Sequence, residues 1–195
     1  MKSLFLIAIS FLTAGFSIQS VDVERHIRSI LETRDNQIKE VLGPEGTEYT
    51  ESQRHELRNI VNDIMDYREM ARYALADQFD EIRPEVQEEF IDLFSKIIRE
   101  RSLQQLDIYR AELIYGDIEI NNNKAEVSTT AILDNNRIPV KYRMMQKEGQ
   151  WVITDMSVDN AWTGESYRRS FQNIIRRRGF EALMENLRTR AEQNG

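Results

Sequence analysis

The sequence predicts an α+β domain in which several helices pack on one face of a curved four-stranded antiparallel sheet. Up to about residue 110, apolar residues recur at the 3.6-residue spacing of amphipathic helices. From Ala111 they alternate with a period close to 2, and after Trp162 the helical spacing returns. Because the chain has 195 residues and no internal linker, these segments indicate one domain with a sheet and a helical cover.

Helical patterns occupy most of the first hundred residues. The first covers residues 27–42 and ends at Gly43, and the second begins at Thr50, which forms a capping box with Gln53. A short third helix is predicted over residues 67–75. Each carries one apolar stripe, which indicates that each helix packs against a common core.

The strongest helical pattern begins at Pro84, because proline fits the first turn of a helix without loss of a hydrogen bond. Its apolar face is large and contains two aromatic residues. The residues of that face are Phe90, Leu93, Phe94, Ile97 and Ile98.

Four runs of alternating polarity predict the sheet. They cover residues 113–120, 125–133, 138–146 and 151–158. Short clusters of Asn, Asp, Glu and Gly separate the runs, and such clusters favour tight turns. Connections this short predict an antiparallel meander with one apolar face that needs a cover.

Two C-terminal helices, separated by Gly179, complete the predicted cover. Their apolar residues include Tyr167, Phe171, Ile174, Ile175 and Leu183. The first of them also carries a basic cluster. Arg168, Arg169, Arg176, Arg177 and Arg178 form either a solvated helix face or a contact for anionic head groups or an acidic partner.

Residues 1–20 have the pattern of an export signal. Lys2 supplies a positive charge, residues 4–16 form an apolar run, and Ser17 or Ser20 offers a small residue for cleavage. The run is shorter than a bilayer span, so a retained anchor is the weaker alternative. We therefore expect a signal peptide over 1–20 and one domain over 21–195.

Composition and motifs exclude several function classes. The net charge of -7 argues against nucleic-acid binding, and the absence of cysteine excludes disulfides and thiolate metal sites. The common hydrolase and phosphate-loop motifs are missing, and His26 and His55 fall on predicted solvent faces. We expect no catalytic group, metal or cofactor.

Asp155 carries the one enzymatic alternative. It lies inside a strand run beside Trp151 and Met156, and a carboxylate in a cavity with a raised pKa can serve as a general base in an isomerase or dehydratase. The favoured interpretation is an edge or outward-facing acid paired with Arg143 or Lys141 on the neighbouring strand.

Several segments, in order, resemble the MlaC family, also called toluene-tolerance proteins, which are periplasmic phospholipid carriers. The segments are DYREMARYAL, PEVQEEFIDLFSKII, IPVKYRM, WVITDMSVD and YRRSFQNIIRRRGFEALMENLR. The last of these, beginning at Tyr167, is the most specific. The chain departs from the family pattern at residues 160–164 and at Phe79, where the family often has Trp.

The resemblance implies a clamshell with an apolar cavity for acyl chains, and bound phospholipid as cargo without a cofactor. It implies a monomer in the Gram-negative periplasm that moves lipid between an outer-membrane lipoprotein complex and an inner-membrane MCE-domain ABC transporter, maintaining outer-membrane lipid asymmetry. Periodicity alone leaves open whether the apolar faces form a solid core or line a pocket.

With this resemblance, thirteen apolar residues are predicted to bind lipid. They are Met70, Phe90, Phe94, Ile97, Ile98, Val140, Tyr142, Met144, Val152, Phe171, Ile174, Ile175 and Leu183. Four arginines are predicted to contact a partner or the head group. They are Arg168, Arg169, Arg176 and Arg177.

Overall fold

A computed structural model describes residues 14–43, 49–103 and 109–193. Within these ranges the chain has seven helices and five strands. The helices are α1 (Ala14–Leu42), α2 (Glu51–Asn62), α3 (Tyr67–Leu75), α4 (Gln78–Glu81), α5 (Pro84–Leu103), α6 (Thr163–Arg178) and α7 (Phe180–Gln193). The strands are β1 (Glu112–Asn121), β2 (Lys124–Leu133), β3 (Asn136–Lys147), β4 (Gln150–Val158) and β5 (Ala161–Trp162). The predicted α+β class is confirmed.

The sheet is an antiparallel meander with the strand order β1-β2-β3-β4-β5. Four of these strands were predicted, and the fifth was not. Strand β5 has two residues, Ala161 and Trp162, which pair with Val158 and Ser157. Two residues are too short to show a period of 2, so the pattern could not reveal this strand.

Tight turns join consecutive strands. Asp134 and Asn135 both have positive φ values of 49° and 64°, and Asp159 and Asn160 have 51° and 63°. Positive φ at both central residues is typical of the two-residue turns whose twist matches that of the flanking strands. The Asn and Asp clusters of the sequence therefore fix the meander.

The pairing of β3 with β4 contains an irregularity that decides the geometry of the site. Arg143 pairs with Asp155, but the next residue, Met144, pairs with Ile153. Thr154 is therefore the extra residue of a β-bulge, which bends the strand and increases its twist.

The bulge changes which residues of β4 share a face. Ile153 lies on the face covered by helices, and beyond the bulge Met156 and Val158 lie on that same face. Asp155 lies on the opposite face, beside Arg143. Simple alternation along β4 would have placed Asp155 with Ile153.

The helical layer has its own core, built on an aromatic cluster. Phe90 and Phe94 of α5 contact Tyr167 and Phe171 of α6, with ring centroids 5.0 to 5.7 Å apart and mostly edge-to-face geometry. The two phenylalanines of α5 are fully buried. Leu183 and neighbouring residues of α7 close this core from the other side.

The helical layer is joined to the sheet at Ile153, in the first half of β4. The backbone N–H of Asp66 donates to the carbonyl of Ile153 at 2.8 Å, and the N–H of Ile153 donates to Ile64 at 2.7 Å. The Asp66 carboxylate also caps α3 and accepts from the Lys147 ammonium at 2.6 Å. These contacts hold the α2–α3 connection against the sheet.

Helix α1 begins at Ala14, inside the predicted signal, and continues to Leu42 without a break. Residues 1–13 of the predicted signal lie outside the described residues, and its cleavage stays a prediction. In the part of the chain that the structure describes, no helix is long and apolar enough to cross a bilayer. Gly43 ends α1 with a φ of 62°, and Thr50 and Gln53 form the predicted capping box.

Candidate functional site

An apolar cavity of about 300 Å³ lies between the helical layer and the covered face of the sheet. Helices α1, α2, α3, α5 and α6 form one wall, and β1, β3 and β4 form the other. The apolar lining residues are Leu31, Ile38, Ile60, Val61, Ile64, Met65, Met70, Ile98, Leu113, Val140, Ile153, Met156, Val158 and Ala161. This size falls within the range of small-molecule sites, roughly 300–1,000 Å³.

The exposed lining residues show where the cavity meets solvent. Arg101, Ala161 and Ser166 line the cavity and are exposed. Two further charged residues of the lining, Arg34 and Asp35, are partly exposed. The cavity thus has an apolar interior and charged side chains near its opening.

Five tyrosines add polar groups to the lining, which consists otherwise mostly of apolar side chains. They are Tyr67, Tyr109, Tyr115, Tyr142 and Tyr167. Burial raises the pKa of Tyr67 to about 12, although the Arg99 guanidinium opposes the shift. Burial also raises the pKa of Tyr115 and of Tyr142 above the usual range. The hydroxyls of Tyr67, Tyr115 and Tyr142 therefore stay protonated at neutral pH and can donate hydrogen bonds.

Four of the thirteen residues predicted to bind lipid line the cavity. They are Met70, Ile98, Val140 and Tyr142, one each from α3 and α5 and two from β3. The structure brings these four together from elements far apart in the sequence.

The other nine lie elsewhere among the described residues. Phe90, Phe94, Ile97, Phe171 and Leu183 are buried in the helical core, and Ile174 and Ile175 pack against it. Met144 is buried between the sheet and α1, and Val152 pairs with Met145 on the opposite face from the cavity. Lipid contact by these nine residues stays a prediction.

Sequence reasoning did not select the lining residues of α1 and α2. Leu31, Ile38, Ile60 and Val61 come from those two helices. Their helical periodicity was visible, but the same pattern occurs in a helix that packs against a solid core.

The predicted head-group arginines lie away from the cavity lining. Arg168 stacks on the Tyr73 ring, with its central guanidinium carbon 5.1 Å from the ring centroid, and Arg169 pairs with Glu165 at 3.4 Å. Arg176 and Arg177 are exposed in the last turn of α6. These positions fit a contact surface better than a pocket wall, and their role stays a prediction.

Asp155 has structural contacts that account for its position. The residue is only 4% exposed, and its Oδ1 accepts from the backbone N–H groups of Met156 at 2.9 Å and Gly164 at 2.8 Å. Gly164 lies in the first turn of α6, so this carboxylate caps that helix. The Arg143 guanidinium approaches Oδ2 at 3.7 Å, which confirms the predicted pairing with Arg143. The prediction of an outward-facing acid was wrong, because α6 packs on this carboxylate and buries it.

The surroundings of Asp155 differ from those of a general base in the apolar cavity. Burial raises the pKa of its carboxyl, while the two N–H groups and Arg143 lower it. The carboxylate faces a separate groove on the other side of the sheet, lined largely by charged and polar residues such as Glu69, Lys124 and Glu126. Asp155 is absent from the lining of the apolar cavity.

Residues 160–164, where the chain departs from the family pattern, include two residues that contact the Arg143–Asp155 pair: Trp162 contacts Arg143, and Gly164 contacts Asp155. Trp162 of β5 stacks on Arg143, with the guanidinium carbon 3.8 Å from the ring centroid.

Across the described ranges, no group of three or more His, Cys, Asp or Glu residues is placed to hold a metal ion.

Comparisons with known proteins agree with this geometry. A solved phospholipid-binding protein from Ralstonia solanacearum, in complex with a phospholipid, matches with a TM-score of 0.73 and 16% sequence identity. The match covers 88% of this chain and 97% of that one, which shows a shared fold. A search of curated proteins found no match. The family model for the MlaC protein matches residues 32–189, so the chain belongs to the MlaC family.

Proposed function

We propose that this protein is a periplasmic phospholipid carrier that moves lipid between an outer-membrane lipoprotein complex and an inner-membrane MCE-domain ABC transporter. In this role it helps to maintain the lipid asymmetry of the outer membrane. It binds phospholipid as cargo and does not transform it chemically. Family membership and the phospholipid-bound structural neighbour support this proposal.

The apolar cavity is the observation that carries the proposal. Its walls come from both layers of the fold, and its interior is lined by aliphatic and tyrosine side chains. Charged side chains, including Arg34 and Arg101, lie toward its exposed part. An apolar interior with a charged opening suits a ligand with acyl chains and an anionic phosphate.

The energetics of such a site favour a carrier over a storage protein. Each buried methylene is worth about 0.8 kcal/mol relative to water, but the bilayer buries the same methylene equally well. The free energy of transfer from membrane to cavity is therefore small, and the protein can release its lipid. The direction of transport must then come from the partner complexes.

Two substitutions on β4 test the proposal. Val158 lies on the cavity side of the strand and Val152 on the opposite side, and both are partly buried. Val158→Trp places a large side chain in the cavity, so we expect it to lower the lipid that co-purifies with the protein at least several-fold. Val152→Trp is the matched control and should leave the lipid content unchanged.

Native mass spectrometry of protein purified from a Gram-negative periplasm, with lipid extraction, measures the bound lipid. Wild-type protein that is uniformly free of lipid would refute the carrier function. Equal lipid loss in both variants, with native circular dichroism, would instead place the lipid on another surface.

A further inference from the structure

Three hydroxyl groups in the cavity wall have no hydrogen-bond acceptor among the described residues. The hydroxyls of Tyr67, Tyr115 and Tyr167 are buried, and no hydrogen bond of normal geometry reaches them from any described residue. All three side chains line the same cavity. Buried polar groups are nearly always hydrogen-bonded, so three exceptions in one cavity require an explanation.

Tyr167 is the most strongly buried of the three. Only 7% of the residue is exposed. Its ring centroid lies 5.0 Å from that of Phe94 and 5.4 Å from that of Phe171. These contacts fix the ring, so the hydroxyl cannot turn away to solvent. In the sequence, Tyr167 directly follows Ser166, which is exposed and lines the same cavity. Tyr167 therefore enters the cavity from the same turn of α6 as an exposed lining residue.

The other two tyrosines approach the cavity from different elements. Tyr67 is the first residue of α3, and the Arg99 guanidinium stacks on its ring at 5.4 Å. Tyr115 belongs to β1, and the Arg28 guanidinium stacks on its ring at 5.4 Å. Each ring is thus held in place by a cation on one side, while its hydroxyl is left without an acceptor.

The chemistry of these groups selects the kind of atom that satisfies them. A protonated phenol is foremost a donor, so the missing partner is an acceptor, such as a carbonyl oxygen. Acyl chains carry no acceptor, whereas the ester carbonyls of a diacyl phospholipid lie between the chains and the head group. With the head group at the opening, these carbonyls come to lie just inside it.

We propose that the hydroxyls of Tyr67, Tyr115 and Tyr167 form a polar subsite that donates hydrogen bonds to the ester carbonyls of a bound diacyl lipid. The subsite rests on the proposed carrier function, and it gives the protein a means to select among lipids. The cavity then distinguishes ester-linked lipids from lipids that offer hydrocarbon alone at this depth.

A comparison of two lipids tests the subsite. Lipid-free protein is equilibrated with vesicles that contain equal amounts of dipalmitoyl phosphatidylglycerol and its dihexadecyl ether analogue, and native mass spectrometry gives the ratio of the two bound species. The lipids share the head group and similar chain lengths, but the ether analogue lacks both carbonyls. We expect the wild type to favour the diacyl lipid.

The Tyr167→Phe variant should lower that ratio about three- to tenfold, the range expected for one lost hydrogen bond. Because wild type and variant draw from the same vesicles, the membrane preference of each lipid cancels in the comparison. The control is Tyr73→Phe, since Tyr73 is 38% exposed and lies outside the cavity, and this variant should retain the wild-type ratio.

A thermal unfolding measurement on the lipid-free protein gives an independent readout. Removal of an unsatisfied buried hydroxyl should leave the Tm of Tyr167→Phe unchanged or raise it, whereas loss of a structural hydrogen bond would lower it. A lower Tm or an unchanged lipid ratio would overturn the subsite while lipid binding itself stands. Binding of neither lipid would overturn the carrier function as well.

Discussion

At the scale of single residues, Asp155 and Gly164 form a contact that depends on the absence of a side chain. A Cβ at Gly164 would lie 3.0 Å from Asp155 Oδ2 and 3.2 Å from the Tyr73 ring. Both distances are shorter than ordinary van der Waals contacts. Glycine at position 164 therefore lets the Asp155 carboxylate reach the first turn of α6. There the carboxylate accepts a hydrogen bond from the backbone N–H of Gly164.

The contact predicts non-additive effects on stability. Gly164→Ala should lower the free energy of unfolding by about 1–3 kcal/mol through overpacking, and Asp155→Ala by about 1–3 kcal/mol because two backbone donors lose their acceptor. In the double variant the alanine at 164 no longer meets the carboxylate. We therefore expect the double loss, measured by urea unfolding, to be smaller than the sum. Strict additivity would show that the two residues do not interact.

At the scale of elements, the pairing of α5 with α6 holds the helical layer together. Phe94 contacts three aromatic rings of these two helices, and its side chain is fully buried. One turn further along α5, Ile98 lines the cavity. The same helix face thus contributes first to a solid core and then to the cavity wall.

Because Phe94 belongs to the helical core and not to the cavity lining, its substitution should lower stability without loss of lipid binding. Phe94→Ala should lower the free energy of unfolding by about 3–5 kcal/mol, as is usual for a buried aromatic residue. The folded fraction should still contain lipid. Phe180→Ala, at a partly buried position on α7, should lose less stability. A stable Phe94→Ala protein without lipid would instead place this side chain against the cargo, as the sequence predicted.

At the scale of the whole molecule, the cavity and the basic cluster of α6 occupy separate surfaces. The last turn of α6 carries Arg176, Arg177 and Arg178, all of them exposed. These arginines do not belong to the lining of the cavity. The proposed lipid binding and the proposed delivery to a partner can therefore be altered independently.

A charge reversal at this cluster separates the two processes. We expect Arg177→Glu to retain wild-type lipid content but to slow lipid delivery to vesicles that carry the partner transporter, by about tenfold at low salt. Arg137→Glu makes the same change in net charge at an exposed position on β3 and serves as the control. If both variants deliver lipid at the same rate, the cluster is a solvated helix face.

The sequence by itself determined the local structure. The switch of period at Ala111 predicted where helices give way to strands, and the Asn, Asp and Gly clusters predicted the turns. These features depend on residues close in the chain, so their patterns are readable without the fold. The segments beginning at Asp66 and Tyr167 also carried the family resemblance, which the family model confirms.

Only the tertiary structure decided which apolar residues face a cavity. The bulge at Thr154 turned Met156 and Val158 into the cavity and Asp155 away from it, although alternation along β4 suggested otherwise. Register depends on pairing with β3, so the sequence of β4 alone does not contain it. Phe94 and Ile98 lie on one apolar stripe of α5, so helical periodicity could not show that Phe94 belongs to the core and Ile98 to the cavity lining. A void between two packed layers depends on their separation, which no local pattern records.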